Sequence, residues 1–281
     1  MRIVNVDLYD YFKVKKPEGA VGTLTGYISD LSREINPKRK RPAMLVIPGG
    51  GYSYTSEREG EPVALRYLGY GWNAFVLYYS CAPVKYPYAL AEAIMAVNYI
   101  RLNAAECATD ENKVAAVGFS AGGHLAATLG SYYDSPKAAE IFKSRVNARP
   151  DAVVLSYPVI TSGEKAHRGS FDNLCGADNA ELQKKLDIAN LVNEKSSPAF
   201  IWATRDDTCV PVKNALIAAC AYEEAGVPFS LHIWGKGCHG ISLDDLTVYG
   251  GDDSVVAASK SIPEWVRLSI EFMAELGIKV E

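Results

Sequence analysis

The chain has 281 residues, of which 48% are hydrophobic and 22% are charged, and its formal net charge is −4. These proportions are typical of a soluble globular protein and exclude a disordered, collagen-like or coiled-coil chain. The mild acidic balance provides no basic surface, so we expect neither a nucleic-acid partner nor a membrane partner.

The cysteines and the first residues indicate the compartment. Asp7 and Asp10 interrupt the stretch where the apolar segment of an export signal should lie, so we expect no such signal. The 6 cysteines show neither CxxC nor Cys/His zinc spacing, which favours free buried thiols over disulfides or a metal site. We therefore expect a cytoplasmic protein without a metal or an organic cofactor.

The strand patterns begin with residues 2–31, where two weak runs separated by turn residues predict an antiparallel edge. The later runs are short, apolar and without the polar alternation of a half-solvated strand, which predicts strands buried on both faces. These later runs are Ala43–Ile47, Ala74–Tyr79, Lys113–Phe119, Ala152–Tyr157, Ala199–Thr204 and Phe229–Trp234.

Apolar residues at helical spacing separate most of these runs. The predicted helices are one that starts near Leu90 after Pro87, and then Ala121–Tyr133, Val212–Ala225 and Pro263–Leu276. Because strands and helices alternate, the sequence predicts an α/β fold with a mainly parallel sheet and helices on both faces. The uncharged stretch 114–133 has glycines at its middle, which favours a strand, a turn and a helix over a membrane span.

Residues 159–197 differ from the rest because they are polar and carry one modest helical pattern, around Glu181–Leu191. We interpret this segment as a small insertion over the carboxyl edge of the sheet, where ligands bind in such folds. No repeat and no convincing linker divides the chain, so we expect one domain over residues 1–281.

The clearest chemical motif is the G-x-S-x-G pattern of residues 118–122. It follows a predicted strand directly and opens a predicted helix, which is the context of a serine nucleophile on a sharp turn. Ser120 is therefore the candidate nucleophile, with Gly118 and Gly122 allowing close approach of the backbone. The start of the helix at Ala121 directs its positive end at a developing oxyanion.

A serine nucleophile needs a base, and the chain has 4 histidines. His124 lies one helical turn beyond Ser120, His167 lies in the insertion and His232 lies inside a strand. His239 lies in a glycine-rich loop after the last strand, and we predict that it is the base. Its neighbour Cys238 is interpreted as a packing residue, with a redox role as the alternative.

The acid that orients the base should follow the strand Ala199–Thr204, where Asp206 and Asp207 are adjacent. The D-x-x-V-P spacing selects Asp207, with Asp206 as the alternative. The order Ser120, Asp207, His239 is the order found in α/β-hydrolases.

An oxyanion site is predicted in the loop of residues 48–52, Pro-Gly-Gly-Gly-Tyr, which follows the first central strand. The amides of Gly50, Gly51 and Ala121 are the expected donors. A phosphate-binding loop is excluded because no Lys-Ser/Thr pair follows the glycines at the required distance.

Over about residues 43–240 these motifs resemble an esterase branch of the α/β-hydrolase superfamily that includes acetyl xylan esterases and xylanase-B-like carbohydrate acetylesterases. The similarity covers the glycine loop, Pro87–Leu90, the GFSAGGHL motif of residues 118–125, Tyr157–Val159 and the turn 207–212. The chain departs from this branch at Pro48, where related esterases often have His, and at Glu92, where many have Asp.

The resemblance implies a single α/β-hydrolase domain that removes short acyl groups, most simply acetyl, from sugars or xylo-oligosaccharides through an acyl-enzyme. The alternatives are an aryl-formamidase, a general short-chain esterase on the same scaffold, or a binding protein that lost catalysis. Tyr52, beside the glycine loop, is the predicted substrate contact. The expected partner is a small acyl ester, and the sequence leaves a homo-oligomer open.

Overall fold

One sheet of eight strands organises the described part of the chain, residues 1–249 and 262–280 of the computed structural model. The strand order across the sheet is β1-β2-β4-β3-β5-β6-β7-β8. The strands are β1 (Arg2–Asp7), β2 (Thr23–Ile28), β3 (Arg41–Ile47), β4 (Asn73–Tyr78), β5 (Thr109–Phe119), β6 (Ala152–Ser156), β7 (Ala199–Thr204) and β8 (Phe229–Trp234).

The strand directions agree with the sequence-based expectation. β1 pairs antiparallel with β2, and β2 pairs antiparallel with β4, while every pair from β4 to β8 is parallel. The mainly parallel sheet with an antiparallel N-terminal edge is thus confirmed.

Helices cover both faces of this sheet. Buried residues of α1, α3, α4 and α9 form one apolar cluster with the sheet, and those of α2 and α10 form a second cluster. The helices are α1 (Leu8–Phe12), α2 (Glu61–Gly69), α3 (Tyr88–Leu102), α4 (Ala121–Tyr132), α5 (Pro136–Ala139), α6 (Arg168–Cys175), α7 (Ala180–Lys185), α8 (Ile188–Leu191), α9 (Lys213–Glu224) and α10 (Trp265–Glu275).

The strand β3 shows why the buried stretches of the central strands are apolar on both faces. Leu45 and Ile47 pack into the first cluster, whereas Met44 and Val46 pack into the second. Successive side chains of a strand point to opposite faces, so a strand with helices on both sides buries all of them. Each fully buried aliphatic side chain of this size contributes roughly 1.5–3 kcal/mol.

The helices that join these strands are short. The longest in the described residues, α3, has 15 residues, and no helix among those described is long and apolar enough to cross a membrane. Gly226 and Gly277 follow α9 and α10 with φ of 66° and 83°. Both take the left-handed conformation that commonly ends helices.

The insertion between β6 and β7 is more helical than the sequence suggested. It contains α6, α7 and α8, whereas one pattern around Glu181–Leu191 was predicted. That pattern is interrupted because Asp187 caps α8 with its side chain and also accepts hydrogen bonds from Thr161 and Ser162. A residue committed to these bonds ends one helix and begins the next.

The cysteines are only partly as predicted. All six are free; Cys107 and Cys175 are buried, and Cys81 is half-buried. The three remaining cysteines, Cys209, Cys220 and Cys238, are exposed, so the prediction of buried thiols is wrong for them. The interpretation of Cys238 as a packing residue is wrong for the same reason.

Candidate active site

Ser120 lies at the turn between β5 and α4, in a backbone conformation that few residues adopt. Its φ of 52° and ψ of −115° fall outside the regions preferred by L-residues, and such strain marks functional turns. A Cβ on Gly118 would lie 2.1 Å from the Gly122 carbonyl oxygen, and one on Gly122 would lie 2.2 Å from the Ile47 carbonyl oxygen. The turn therefore requires glycine on both sides of the serine.

His239 brings Ser120 and Asp207 into one hydrogen-bonded chain. Its Nε2 lies 2.8 Å from Ser120 Oγ, and its Nδ1 lies 2.6 Å from Asp207 Oδ2. An ionised carboxylate only accepts hydrogen bonds, so Nδ1 carries the proton. Nε2 is then an acceptor that faces the serine hydroxyl, which is the tautomer that a general base requires.

Asp207 is held by its own turn. Its Oδ1 accepts hydrogen bonds of 2.9 Å from the amides of Cys209 and Val210, and its side chain is fully buried. These bonds leave Oδ2 for His239 alone. The orientation of the base thus follows from the D-x-x-V-P turn.

The carboxylate of Asp206 is directed away from His239. Its carboxylate pairs with Lys236 at 3.1 Å and with Arg205 at 3.0 Å. The hydrogen bond from Lys236 contributes most to holding the pKa of Asp206 below its usual range. The structure therefore places Asp207, and not the alternative Asp206, against the histidine.

The other histidines have different surroundings. His124 is buried in α4, and its burial lowers the pKa to about 4. His232 lies on the edge strand β8 and stacks on Phe200. His167 is half-buried in the insertion, lines the cleft and bonds to Ser170 Oγ at 2.8 Å.

The glycine loop after β3 lies beside the nucleophile, as expected for an oxyanion site. Gly50 and Gly51 have φ of 123° and 65°, a region that favours glycine. Both residues line the same cleft as Ser120 and His239. Within the described chain, the amides of Gly50, Gly51 and Ala121 have no protein acceptor, so they are free to bind an oxyanion.

Tyr52 does not occupy the position that we predicted. Its side chain is 2% exposed, and its hydroxyl hydrogen-bonds to His124 Nδ1 at 2.8 Å. The residue itself has φ of 56°, which turns the ring under the loop and away from the cleft. The prediction that Tyr52 contacts a sugar is therefore wrong.

The cleft in front of Ser120 is open and has a volume of about 1010 Å³. Two of its residues were missed by the sequence reasoning as functional candidates. Tyr54 is 64% exposed beside the loop, and Asn173 of α6 donates to the Gly51 carbonyl oxygen at 2.9 Å. The polar part of the lining includes Ser53, Thr55, Ser56, His167, Asn173 and Thr247.

Glu59 is a third residue that the sequence reasoning missed. It lies in a 3-10 turn, Glu57–Glu59, yet it is only 3% exposed and reaches the cleft. Its carboxylate accepts hydrogen bonds from the Gly49 amide at 2.7 Å and from the Tyr157 hydroxyl at 2.6 Å. Burial raises the pKa of Glu59 above its usual range, and these two hydrogen bonds act in the opposite direction.

Metal coordination has no evident place in this arrangement. Over residues 1–249 and 262–280, no group of three or more His, Cys, Asp or Glu side chains could hold a metal ion. The expectation that the chain works without a cofactor remains a prediction.

Two curated proteins resemble this chain over most of its length. The endo-1,4-beta-xylanase B of Butyrivibrio fibrisolvens is 36% identical over 80% of this chain and 36% of its own length. The acetylxylan esterase of Xylanibacter ruminicola is 29% identical over 72% of this chain and 41% of its own length. The chain thus spans less than half of either relative.

A solved structure and a family model also match most of this chain. The acetyl ester-xyloside bifunctional hydrolase of Caldicellulosiruptor lactoaceticus is 37% identical, with a TM-score of 0.79 over 92% of this chain and 89% of that one. The BD-FAE family model matches residues 30–219, which include the glycine loop, Ser120 and Asp207. The chain therefore belongs to the BD-FAE family of α/β-hydrolases.

Proposed function

We propose that this protein is a serine carboxylesterase that removes short acyl groups, in particular acetyl, from sugars or xylo-oligosaccharides. The observation that carries the proposal is the continuous chain from Asp207 Oδ2 through His239 to Ser120 Oγ, with bonds of 2.6 and 2.8 Å. Ser120 Oγ, at the end of these hydrogen bonds, faces a cleft that is bordered by backbone amides without a protein acceptor in the described residues.

The geometry supports a two-step mechanism. Ser120 Oγ attacks the ester carbonyl carbon while His239 Nε2 takes the hydroxyl proton, and the carbonyl oxygen becomes an oxyanion. The amides of Gly50, Gly51 and Ala121 stabilise this oxyanion. His239 then returns the proton to the departing alcohol, which leaves an acyl-serine. A water molecule then attacks the acyl-serine while His239 Nε2 takes one of its protons. His239 returns this proton to Ser120 Oγ as the bond to the acyl carbon breaks, and the carboxylic acid is released.

The substrate class rests on the lining of the cleft. Hydroxyl, amide and imidazole groups form part of its lining, and such groups suit a hydrated alcohol better than a lipid. A long acyl chain gains about 0.8 kcal/mol per buried CH₂ only where an apolar slot receives it. Two relatives carry the names acetylxylan esterase and acetyl ester-xyloside hydrolase, which also favours an acetylated sugar.

A cytoplasmic location would restrict the enzyme to short imported oligosaccharides, because intact polymer does not enter cells. The location, like any homo-oligomer, is a proposal that rests on the sequence alone.

The proposal is tested by labelling and by substrate preference together. A fluorophosphonate probe should label the wild type and not Ser120→Ala, whose turnover should fall by about 10⁴ to 10⁶. Among nitrophenyl esters, kcat/KM should fall beyond about four acyl carbons, and acetylated xylo-oligosaccharides should release acetate. An optimum at octanoate or longer, with no acetate released from the sugar, would contradict the substrate class. Absence of labelling in the wild type would contradict the assignment of the protein as a serine hydrolase.

A further inference from the structure

We propose that Glu59 is a positioning residue that holds the oxyanion loop and the loop of the base in one fixed relation. The proposal rests on the proposed esterase function. Glu59 does not touch the reacting atoms; it acts through the Gly49 amide on one side and through Tyr157 on the other.

The first contact fixes the peptide that precedes the oxyanion donors. The Gly49 amide donates to Glu59 Oε2 at 2.7 Å, and the carbonyl oxygen of the same peptide, that of Pro48, accepts from the Tyr79 hydroxyl at 2.8 Å. Both polar groups of this peptide are therefore held. Because the next amides along the chain are those of Gly50 and Gly51, the direction of this peptide plane determines where they point.

The second contact reaches the loop that carries the base. The Tyr157 hydroxyl donates to Glu59 Oε1 at 2.6 Å and accepts from the Ser242 amide at 3.0 Å. The Tyr157 ring also packs edge to face on the His239 ring, with centroids 5.1 Å apart. Ser242 Oγ donates in turn to the carbonyl oxygen of Arg58, the neighbour of Glu59, at 2.9 Å.

The proton count in this network favours the ionised carboxylate. The Ser242 amide occupies the Tyr157 oxygen as a donor, so the hydroxyl hydrogen is available for Glu59. A carboxylate accepts from both the hydroxyl and the Gly49 amide. A protonated Glu59 that donated to Tyr157 would leave the hydroxyl hydrogen without an acceptor in the described chain. Two acceptor oxygens therefore match two donors.

The consequence concerns the transition state more than substrate binding. Oxyanion donors act by being in place before the charge develops, and a shift of their loop weakens them. The ester in its ground state depends less on these donors. Loss of the Glu59 link should therefore lower kcat and leave KM nearly unchanged.

The test compares Glu59→Gln with Glu61→Gln. Glu61 is exposed at the start of α2, so its variant removes the same charge two residues away and outside the cleft. In Glu59→Gln, the introduced amide turns a donor toward Gly49 or Tyr157, so either the Gly49 bond is lost or the Tyr157 hydroxyl hydrogen is left without its acceptor. We expect kcat on nitrophenyl acetate to fall about 10- to 100-fold in Glu59→Gln, less than the loss of a whole oxyanion donor. KM should change less than about threefold.

A boronic acid provides the readout that a merely structural role would not move. It forms a tetrahedral adduct with the serine and places an oxygen in the oxyanion site. Its inhibition constant should rise in Glu59→Gln by about the same factor as kcat falls, and both should stay at wild-type values in Glu61→Gln. Tyr157→Phe keeps the ring against His239 and removes both hydroxyl bonds, so it should act in the same direction if Glu59→Gln does not fold.

The outcomes separate this inference from the proposed function. An active wild type with unchanged kcat and unchanged boronic-acid affinity in both Glu59→Gln and Tyr157→Phe would overturn the positioning role and leave the esterase intact. Equal losses in Glu59→Gln and Glu61→Gln would also overturn it. A wild type that hydrolyses no ester would instead overturn the function on which the inference rests.

Discussion

The Tyr52 hydroxyl donates a hydrogen bond of 2.8 Å to His124 Nδ1, joining the oxyanion loop to the helix that follows Ser120. The direction follows from the other side of the ring, where Nε2 lies 2.8 Å from the Leu186 carbonyl oxygen. A carbonyl oxygen only accepts, so Nε2 carries the proton and Nδ1 is the acceptor. The neutral imidazole is thus satisfied by one residue of the loop and one of the insertion.

This pair predicts a stability that depends on pH. Burial lowers the pKa of His124 from 6.5 to about 4, so the unfolded chain takes up the proton first as the pH falls. Stability is therefore fully present above pH 6.5 and is lost progressively between pH 6.5 and 4, by roughly 3 kcal/mol.

The variant His124→Gln isolates this contribution, because its amide can donate to Leu186 and accept from Tyr52 without titrating. Urea unfolding at pH 7 and at pH 4.5 should show a smaller acid loss in His124→Gln than in the wild type. The half-buried His232 offers a control, and His232→Gln should change the acid loss less. The same acid loss in the wild type and in His124→Gln would contradict the prediction.

The two aspartates predict a ranking of activities. Asp207→Asn removes the carboxylate that fixes the His239 tautomer, and turnover should fall by roughly 10⁴. Asp206→Asn breaks only an exposed pair with Lys236 and Arg205, so turnover should change less than about threefold. Steady-state rates on nitrophenyl acetate measure both. A reversed ranking would transfer the orienting role to Asp206.

A side chain at position 122 should destabilise the fold through steric clashes. A methyl group at this position would lie 2.2 and 2.3 Å from the carbonyl oxygens of Ile47 and Pro48, which are backbone atoms at the end of β3 and cannot rotate away. Gly122→Ala should lose about 3 kcal/mol or more of unfolding free energy. Gly69→Ala, where no atom lies within 4 Å, should gain about 0.5–1 kcal/mol. Similar urea midpoints for the two variants would disagree with this packing.

Because Tyr54 is exposed at the cleft, we expect the enzyme to prefer esters whose alcohol is a sugar ring. Its side chain is 64% exposed at the cleft, where a sugar can stack on it. Tyr54→Ala should lower kcat/KM for acetylated xylo-oligosaccharides by about 3- to 10-fold, and Tyr54→Phe should restore it. Ethyl acetate, whose alcohol is too small to stack, is the control and should be hydrolysed at the wild-type rate. Equal losses on both esters would point to a disturbed loop instead.

The sheet and the hydrogen-bonded chain from Asp207 to Ser120 could be anticipated because local patterns specify them. Apolar runs identified the six strands from β3 to β8, and G-x-S-x-G in its strand–helix context identified the turn of Ser120. The spacing D-x-x-V-P distinguished Asp207 from its neighbour, because the amides that hold the carboxylate lie two and three residues along the chain.

Tyr52 and Glu59 could not be anticipated, because contacts distant in sequence decide their positions. Tyr52 bonds to a residue 72 positions away, and Glu59 to one 98 positions away. In the sequence, Glu59 lies among Ser56, Glu57 and Arg58, which is typical of a solvated turn. Its burial depends on how the loop after β3 packs against Tyr157, and no local spacing encodes that packing.

The contacts of the insertion with the core restrict how chimeras of this protein can be built. Asn173 donates to the Gly51 carbonyl oxygen, and Leu186 accepts from His124 Nε2. A hybrid that received residues 159–197 from a relative would need an amide and a carbonyl group at the same two places. Without them the Gly51 carbonyl would lose its donor and the buried imidazole would lose its acceptor. Recombination that aims at new substrates should therefore exchange the insertion together with residues 48–54 and the start of α4.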